Sequence, residues 1–123
     1  MKRIRIYTGA DNESHLEELP LAFTEREGSR TALEGAVSVQ FIRRPAGQFI
    51  DFHPAPARPQ YVVYLTASIE IGLGDGTTVV MEPGDVLQAE DSTGHGHTSR
   101  TLIEGVCAFV PLSGEPVADG GAA

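Results

Sequence analysis

Cysteine occurs once, at Cys107, so no disulfide can close within the chain and nothing argues for an oxidising compartment. Cys107 lies in the apolar run 106–110 and reads as a small buried hydrophobe, with no histidine close in sequence to activate it. Cations are also scarce. Nine Lys and Arg stand against 17 Asp and Glu, a formal net charge of −8. So acidic a surface repels phosphate backbones and anionic lipid, which argues against nucleic acid and membranes as partners. A local basic pocket built from Arg43, Arg44, Arg58 and Arg100 stays open. No apolar run approaches the ~18 residues of a membrane-crossing helix. Residues 1–7 are basic but alternate with apolar positions and lack an apolar core, so a signal peptide is not expected and a cytoplasmic location is the default. No internal repeat is visible, and no helical pattern extends beyond about two turns.

What the chain does have is punctuation. Fourteen Gly and eight Pro in 123 residues suit a turn-rich all-β protein, and the length suits one domain with a real core. Residues 3–8 alternate as an edge strand. Ser14 to Leu19 reads as one short helical turn, with Ser14 as N-cap and Glu17 as capping-box partner, stopped by Pro20. His15 on it reads as a surface or subunit-contact residue. Residues 21–35 read as a loop or short edge strand. Residues 36–44 form a strand with Val37, Val39 and Phe41 on one face. In the strand 48–53, Phe49, Asp51 and His53 share a face, with Ile50 and Phe52 on the other. The three prolines of 54–59 exclude a helix or central strand there. Gln60, Val62 and Tyr64 share a face of the strand 60–66.

Further strands are expected over 68–73, 77–81, 86–89, 97–103 and 106–112. An Asp-Gly hairpin turn at 72–76 and a Pro83-Gly84-Asp85 turn separate some of them, and 91–96 is a polar loop. About eight to ten short strands at this spacing mean a sandwich, jelly roll or small barrel. The domain spans 1–112, and 113–123 is expected to fray as a flexible tail.

Gly47, five residues and His53 resemble the opening of the first cupin motif. Ala55 stands where that motif has its second His, Gln60 where it has Glu, and Ala67 where it closes on Gly. Pro83-Gly84-Asp85 and His97 resemble the second motif, with a longer loop between them and no final Asn. The resemblance covers residues 47–101. His-Pro-Ala-Pro before Gln-Tyr-Val-Val, and Glu-Asp-Ser-Thr-Gly before Gly-His, look like a subgroup of small single-domain bacterial cupins. The resemblance implies a jelly roll whose inward side chains hold one divalent metal, and commonly a homodimer. Strand 3–8 is a candidate for adding to a neighbour's sheet. Cupin activities span dioxygenases, isomerases, epimerases, decarboxylases, lyases and non-catalytic proteins, so the resemblance implies a scaffold rather than a reaction.

On that resemblance His53, Gln60 and His97 are the candidate metal ligands, and His53, His97 and Tyr64 the candidate catalytic residues. The metal would be one divalent transition ion such as Zn, Fe, Ni or Mn. Two imidazoles and an amide make a poorer shell than three imidazoles and a carboxylate. They also leave more positions open for water or substrate. Glu90, Asp91 or His95 could complete the shell. Three functions follow for the barrel interior: a metal-dependent enzyme acting on a small polar molecule, of isomerase, lyase or dioxygenase type; a metal-free isomerase, lyase or cyclase using His as acid and base; or a non-catalytic binder of a small ligand.

Overall fold

The computed structural model describes residues 1–117, and the alternating segments form eleven strands: β1 (Arg3–Thr8), β2 (Ser14–Glu18), β3 (Glu34–Ala36), β4 (Gln40–Arg44), β5 (Phe49–His53), β6 (Gln60–Tyr64), β7 (Ser68–Gly72), β8 (Thr78–Met81), β9 (Val86–Glu90), β10 (His97–Ile103) and β11 (Gly105–Pro116). They make two sheets. The larger runs β2-β1-β9-β6-β11-β3, with β4 also on β11, and the smaller runs β5-β10-β7-β8. From β4 onward the chain crosses repeatedly between the sheets, each time carrying its alternate side chains inward. Ile4, Ile6, Val62 and Leu87 of one sheet meet Ile69, Ile71 and Met81 of the other in a single buried cluster. The two sheets face each other and do not close into a barrel. Among the described residues there is no helix, and so none long and apolar enough to cross a membrane.

Four local expectations change. The segment read as a helical turn at Ser14 is strand β2, paired antiparallel with β1 from Thr8↔Ser14 to Ile4↔Glu18. A single helical turn is marginal by itself. Folding back through the turn at residues 9–13 gives the backbone a full ladder and leaves Ser14 buried. The Ser14 hydroxyl consequently bonds to Asp91 rather than capping a helix. Strand β1 is not an edge either: β2 flanks it on one side and β9, in parallel, on the other. The edge-addition role expected of it has no free edge to use.

The strand expected over 36–44 breaks into β3 and β4, and its faces are reversed. Val37, Val39 and Phe41 are 55–67% exposed. In β4, Ile42 and Arg44 turn inward instead, because they pair with Cys107 and Gly105 of β11, whose Cys107 and Phe109 face the interior. A strand has period two, so its pairing partner decides which face is buried. Finally, the tail expected from residue 113 is strand through Pro116, held by Leu112↔Ala36 and Pro116↔Glu34. Residues 118–123 of that tail lie outside the described residues.

The Pro83-Gly84-Asp85 turn is clamped by its acid. Asp85 Oδ1 accepts the Lys2 backbone N–H at 2.8 Å, and Oδ2 accepts Lys2 Nζ at 2.7 Å and the Glu82 N–H at 2.9 Å. Burial pushes this carboxyl up, but the bonds from Lys2 and Glu82 outweigh burial and hold it below the usual carboxylate range. The stabilisation is therefore complete above that range and is lost as pH falls through it. Asp85→Asn should lower stability by about 1–3 kcal/mol at neutral pH. Urea denaturation should show the gap from wild type closing on acidification. A gap unchanged in acid would mean that packing, not charge, holds the turn.

Candidate functional site

Residues 53 and 97 become neighbours through one strand pair. His53 ends β5, His97 opens β10, and the two are direct partners in the antiparallel ladder. Side chains of paired residues share a face, so both imidazoles project toward the opposite sheet, with ring centroids 4.7 Å apart and planes tilted by 55°. Gly96 permits the approach. Its φ of +78° is left-handed, and a side-chain carbon there would run into the His53 carbonyl. From the facing sheet, Gln60 and Tyr64 come in from β6, whose alternate residues are buried. Together these side chains line a cavity of about 390 Å³ between the sheets, with walls that include Val62, Ile69, Ile71 and Leu87.

Each histidine has one nitrogen committed. His53 Nδ1 lies 2.7 Å from the Asp51 carbonyl oxygen. A carbonyl only accepts, so Nδ1 carries the proton. His97 Nδ1 lies 2.6 Å from Asp91 Oδ2, which also accepts the Ser14 hydroxyl at 2.6 Å. Neither Asp51 nor Asp91 lines the cavity. The neutral rings therefore keep Nε2 as the nitrogen with a lone pair, and neither Nε2 has a partner among the described residues. The Gln60 amide is likewise without a hydrogen-bond partner there, although Gln60 is only 6% exposed. The Tyr64 hydroxyl is unpartnered too. Burial raises its proton affinity well above the usual tyrosine value, so it serves as a hydrogen-bond donor and stays protonated at neutral pH.

The structure thus brings His53, Gln60, His97 and Tyr64 to one cavity. It does not bring the residues expected to complete a metal shell. Glu90 bonds Arg5 and the Gln88 amide. His95 is 42% exposed, bonds Glu13 at 2.9 Å and stacks on Phe52 at 3.9 Å. Asp91 stands behind His97 rather than beside it. Ala55, where the second motif His would stand, lines the cavity as a methyl group. Among the described residues no three His, Cys, Asp or Glu side chains gather as a metal-holding group. The His53, His97 and Gln60 set has an amide as its third donor. Cys107 also lines the cavity, fully buried. Burial raises its thiol, with the nearby Arg44 guanidinium offsetting part of that, so it behaves as the small hydrophobe its sequence context suggests.

The Ser14–Asp91 bond and the inward turn of Arg44 have no local signal. Ser14 and Asp91 are 77 residues apart in sequence yet share a buried bond. Arg44 reaches the cavity only because the faces of β4 are the reverse of the apolar pattern. The four arginines considered for a basic pocket do not gather: Arg58 bonds the Leu112 carbonyl, Arg100 lies over Phe49, Arg43 is exposed, and Arg44 alone lines the cavity.

No protein-family model matches the chain, and no curated protein matches it. The residues and their geometry carry the functional reading.

If Asp91 and the Asp51 carbonyl set the tautomers, nitrogen NMR of labelled protein should show both neutral rings protonated at Nδ1, against the Nε2–H preference of free imidazole. Asp91→Asn should return His97 toward that preference while leaving His53 unchanged. It should also cost about 1.5–3 kcal/mol of stability on urea unfolding. An Nε2–H ring at His97 in the wild type would contradict the assignment.

Proposed function

We propose that the protein is a small cupin-type jelly roll whose cavity holds one divalent transition metal on His53 and His97, with Gln60 as a weaker third ligand, and that it acts as a metal-dependent enzyme on a small polar molecule. The strand order supports the scaffold reading. Strands β4-β11-β6-β9 and β5-β10-β7-β8 form two four-stranded layers between which the chain passes except at the β7-β8 hairpin, the double Greek-key order of a jelly roll. The spacings Gly47 to His53 and Pro83 to His97 support the family.

One observation carries the metal reading. Two adjacent imidazoles line the cavity, each with Nδ1 tied to an acceptor outside it, which leaves Nε2 of each ring as the nitrogen available to a ligand. An acceptor behind each ring is the usual arrangement for a metal-ligating His, because it fixes the tautomer and raises ligand basicity. The donor set fits a borderline ion such as Zn, Ni or Fe. When bound, that ion supplies Lewis-acid polarisation of a substrate oxygen, or oxygen activation if it is iron. The chain's own residues do the rest. His97 is held rigid by Asp91, Gln60 offers an amide to ion or substrate, Tyr64 donates a hydrogen bond, and the aliphatic walls exclude water.

A second reading, proton transfer by the imidazoles without metal, draws support from the buried Asp91–His97 pair, since a carboxylate behind an imidazole also orients a general base. Cobalt(II) titration of protein purified without a histidine tag separates the two. The expected result is one equivalent bound with visible absorption bands. That binding should be lost in His53→Ala and His97→Ala, and tightened roughly tenfold or more in Gln60→Glu, which adds a compensating charge. Less than about a tenth of an equivalent of any transition metal, with no binding on titration, would leave only the metal-free readings.

A further inference from the structure

We propose that the molecule held in this cavity is a small organic acid, and that the Arg44 guanidinium binds its carboxylate. The proposal rests on the cavity being the ligand site, as above, and adds the chemical class of the ligand.

Charge is the first ground. The chain carries 17 acidic residues against nine Lys and Arg, yet among the described residues no Asp or Glu lines this cavity. Among the described residues lining it, Arg44 is the one with a permanent charge. Arg44 is half-buried, and its guanidinium lies 5.7 Å from the Phe109 ring centre and close to the Cys107 thiol. It has no carboxylate partner among the described residues, whereas Arg5 is paired with both Glu17 and Glu90. A cation drawn partly out of water with no counter-ion is costly, and a planar fork of donors matches a carboxylate in two parallel bonds.

Donor balance is the second ground. The Tyr64 hydroxyl is held protonated by burial, and the Gln60 amide N–H groups are free. The cavity thus offers an anion several donors and confronts it with no negative group. Neutral ligands on any metal held there would leave the ion's charge uncompensated as well, which an anionic ligand corrects.

Size and polarity make the third ground. About 390 Å³ suits a molecule of metabolite size. Phe109, Val62, Ile69, Ile71 and Leu87 give an apolar bed for its carbon skeleton. Arg44 comes from β4 on the sheet opposite the histidines. An acid anchored on Arg44 therefore spans toward His53 and His97 with its remaining functional group.

The test is calorimetric titration with straight-chain monocarboxylates from acetate to octanoate and with benzoate, each against its own amide. It is run on chelator-treated and on zinc-loaded protein. At least one acid should bind roughly ten- to a hundred-fold more tightly than its amide. Arg44→Gln should abolish that preference and Arg44→Lys retain part of it, with both variants checked for folding by circular dichroism. Amides that match their acids, no binding of any acid at millimolar concentration, or a preference that survives Arg44→Gln each overturn the proposal. A preference that survives Arg44→Gln but disappears with chelator assigns the anion to the metal, leaving the metal reading intact. A preference that depends on Arg44 and ignores chelator upholds this proposal even if the metal reading fails.

Discussion

Asp91 has no exposure to solvent, and its side chain binds two elements that the chain itself keeps far apart. Its Oδ2 accepts from Ser14 of β2 and from His97 of β10, while Oδ1 is buried with no partner among the described residues. A buried carboxylate is costly unless charge-assisted bonds compensate. Here two short bonds to one oxygen provide all the side-chain compensation, so both partners must keep their places. The Asp91 carbonyl also accepts the Ala55 N–H, which fixes the proline loop after His53. One residue therefore sets the β2 start, the orientation of His97 and the path from His53 to Gln60.

The rest of the site follows from that constraint and from one strand pairing. With His97 anchored, the His53↔His97 register brings the second imidazole alongside. Gly96 lets the backbones meet where a side chain would block them. Strand β6 closes the cavity from the other sheet with the inward faces of Gln60, Val62 and Tyr64. The result is chemically one-sided: lone pairs and donors on polar groups, a cation in Arg44, aliphatic walls, and acids kept behind or outside. The chain is acidic as a whole, yet among the described residues no acidic side chain lines the cavity.

Much of this was legible in the chain, and what was missed has identifiable causes. The alternation of Gln60, Val62 and Tyr64 placed those residues inward correctly, and the motif spacing brought His53 and His97 together. Alternation misassigned 36–44, where Val37, Val39 and Phe41 made the more apolar face yet lie in solvent. It also took the capping pattern at Ser14 for a helix. In both places the competing force was strand pairing, with β11 in the first case and β1 in the second. The β11 partner lies roughly 60 residues further along the chain, 105–109 against 40–44, while β1 is the neighbouring strand, and there the capping pattern at Ser14 masked a hairpin.

Composition and periodicity by themselves determined an all-β, single-cysteine, acidic chain with Gln60, Val62 and Tyr64 on one strand face, while the inward placement of His53 and His97 came from the motif resemblance. Those properties are local, because a strand's period and a turn's glycine depend only on near neighbours. Tertiary structure alone decided that Asp91 stands behind His97 rather than beside it, that Glu90 and His95 turn away, and that Arg44 rather than Phe41 enters the cavity. Each depends on register between segments distant in sequence, and a shift of one residue exchanges the two faces of a strand.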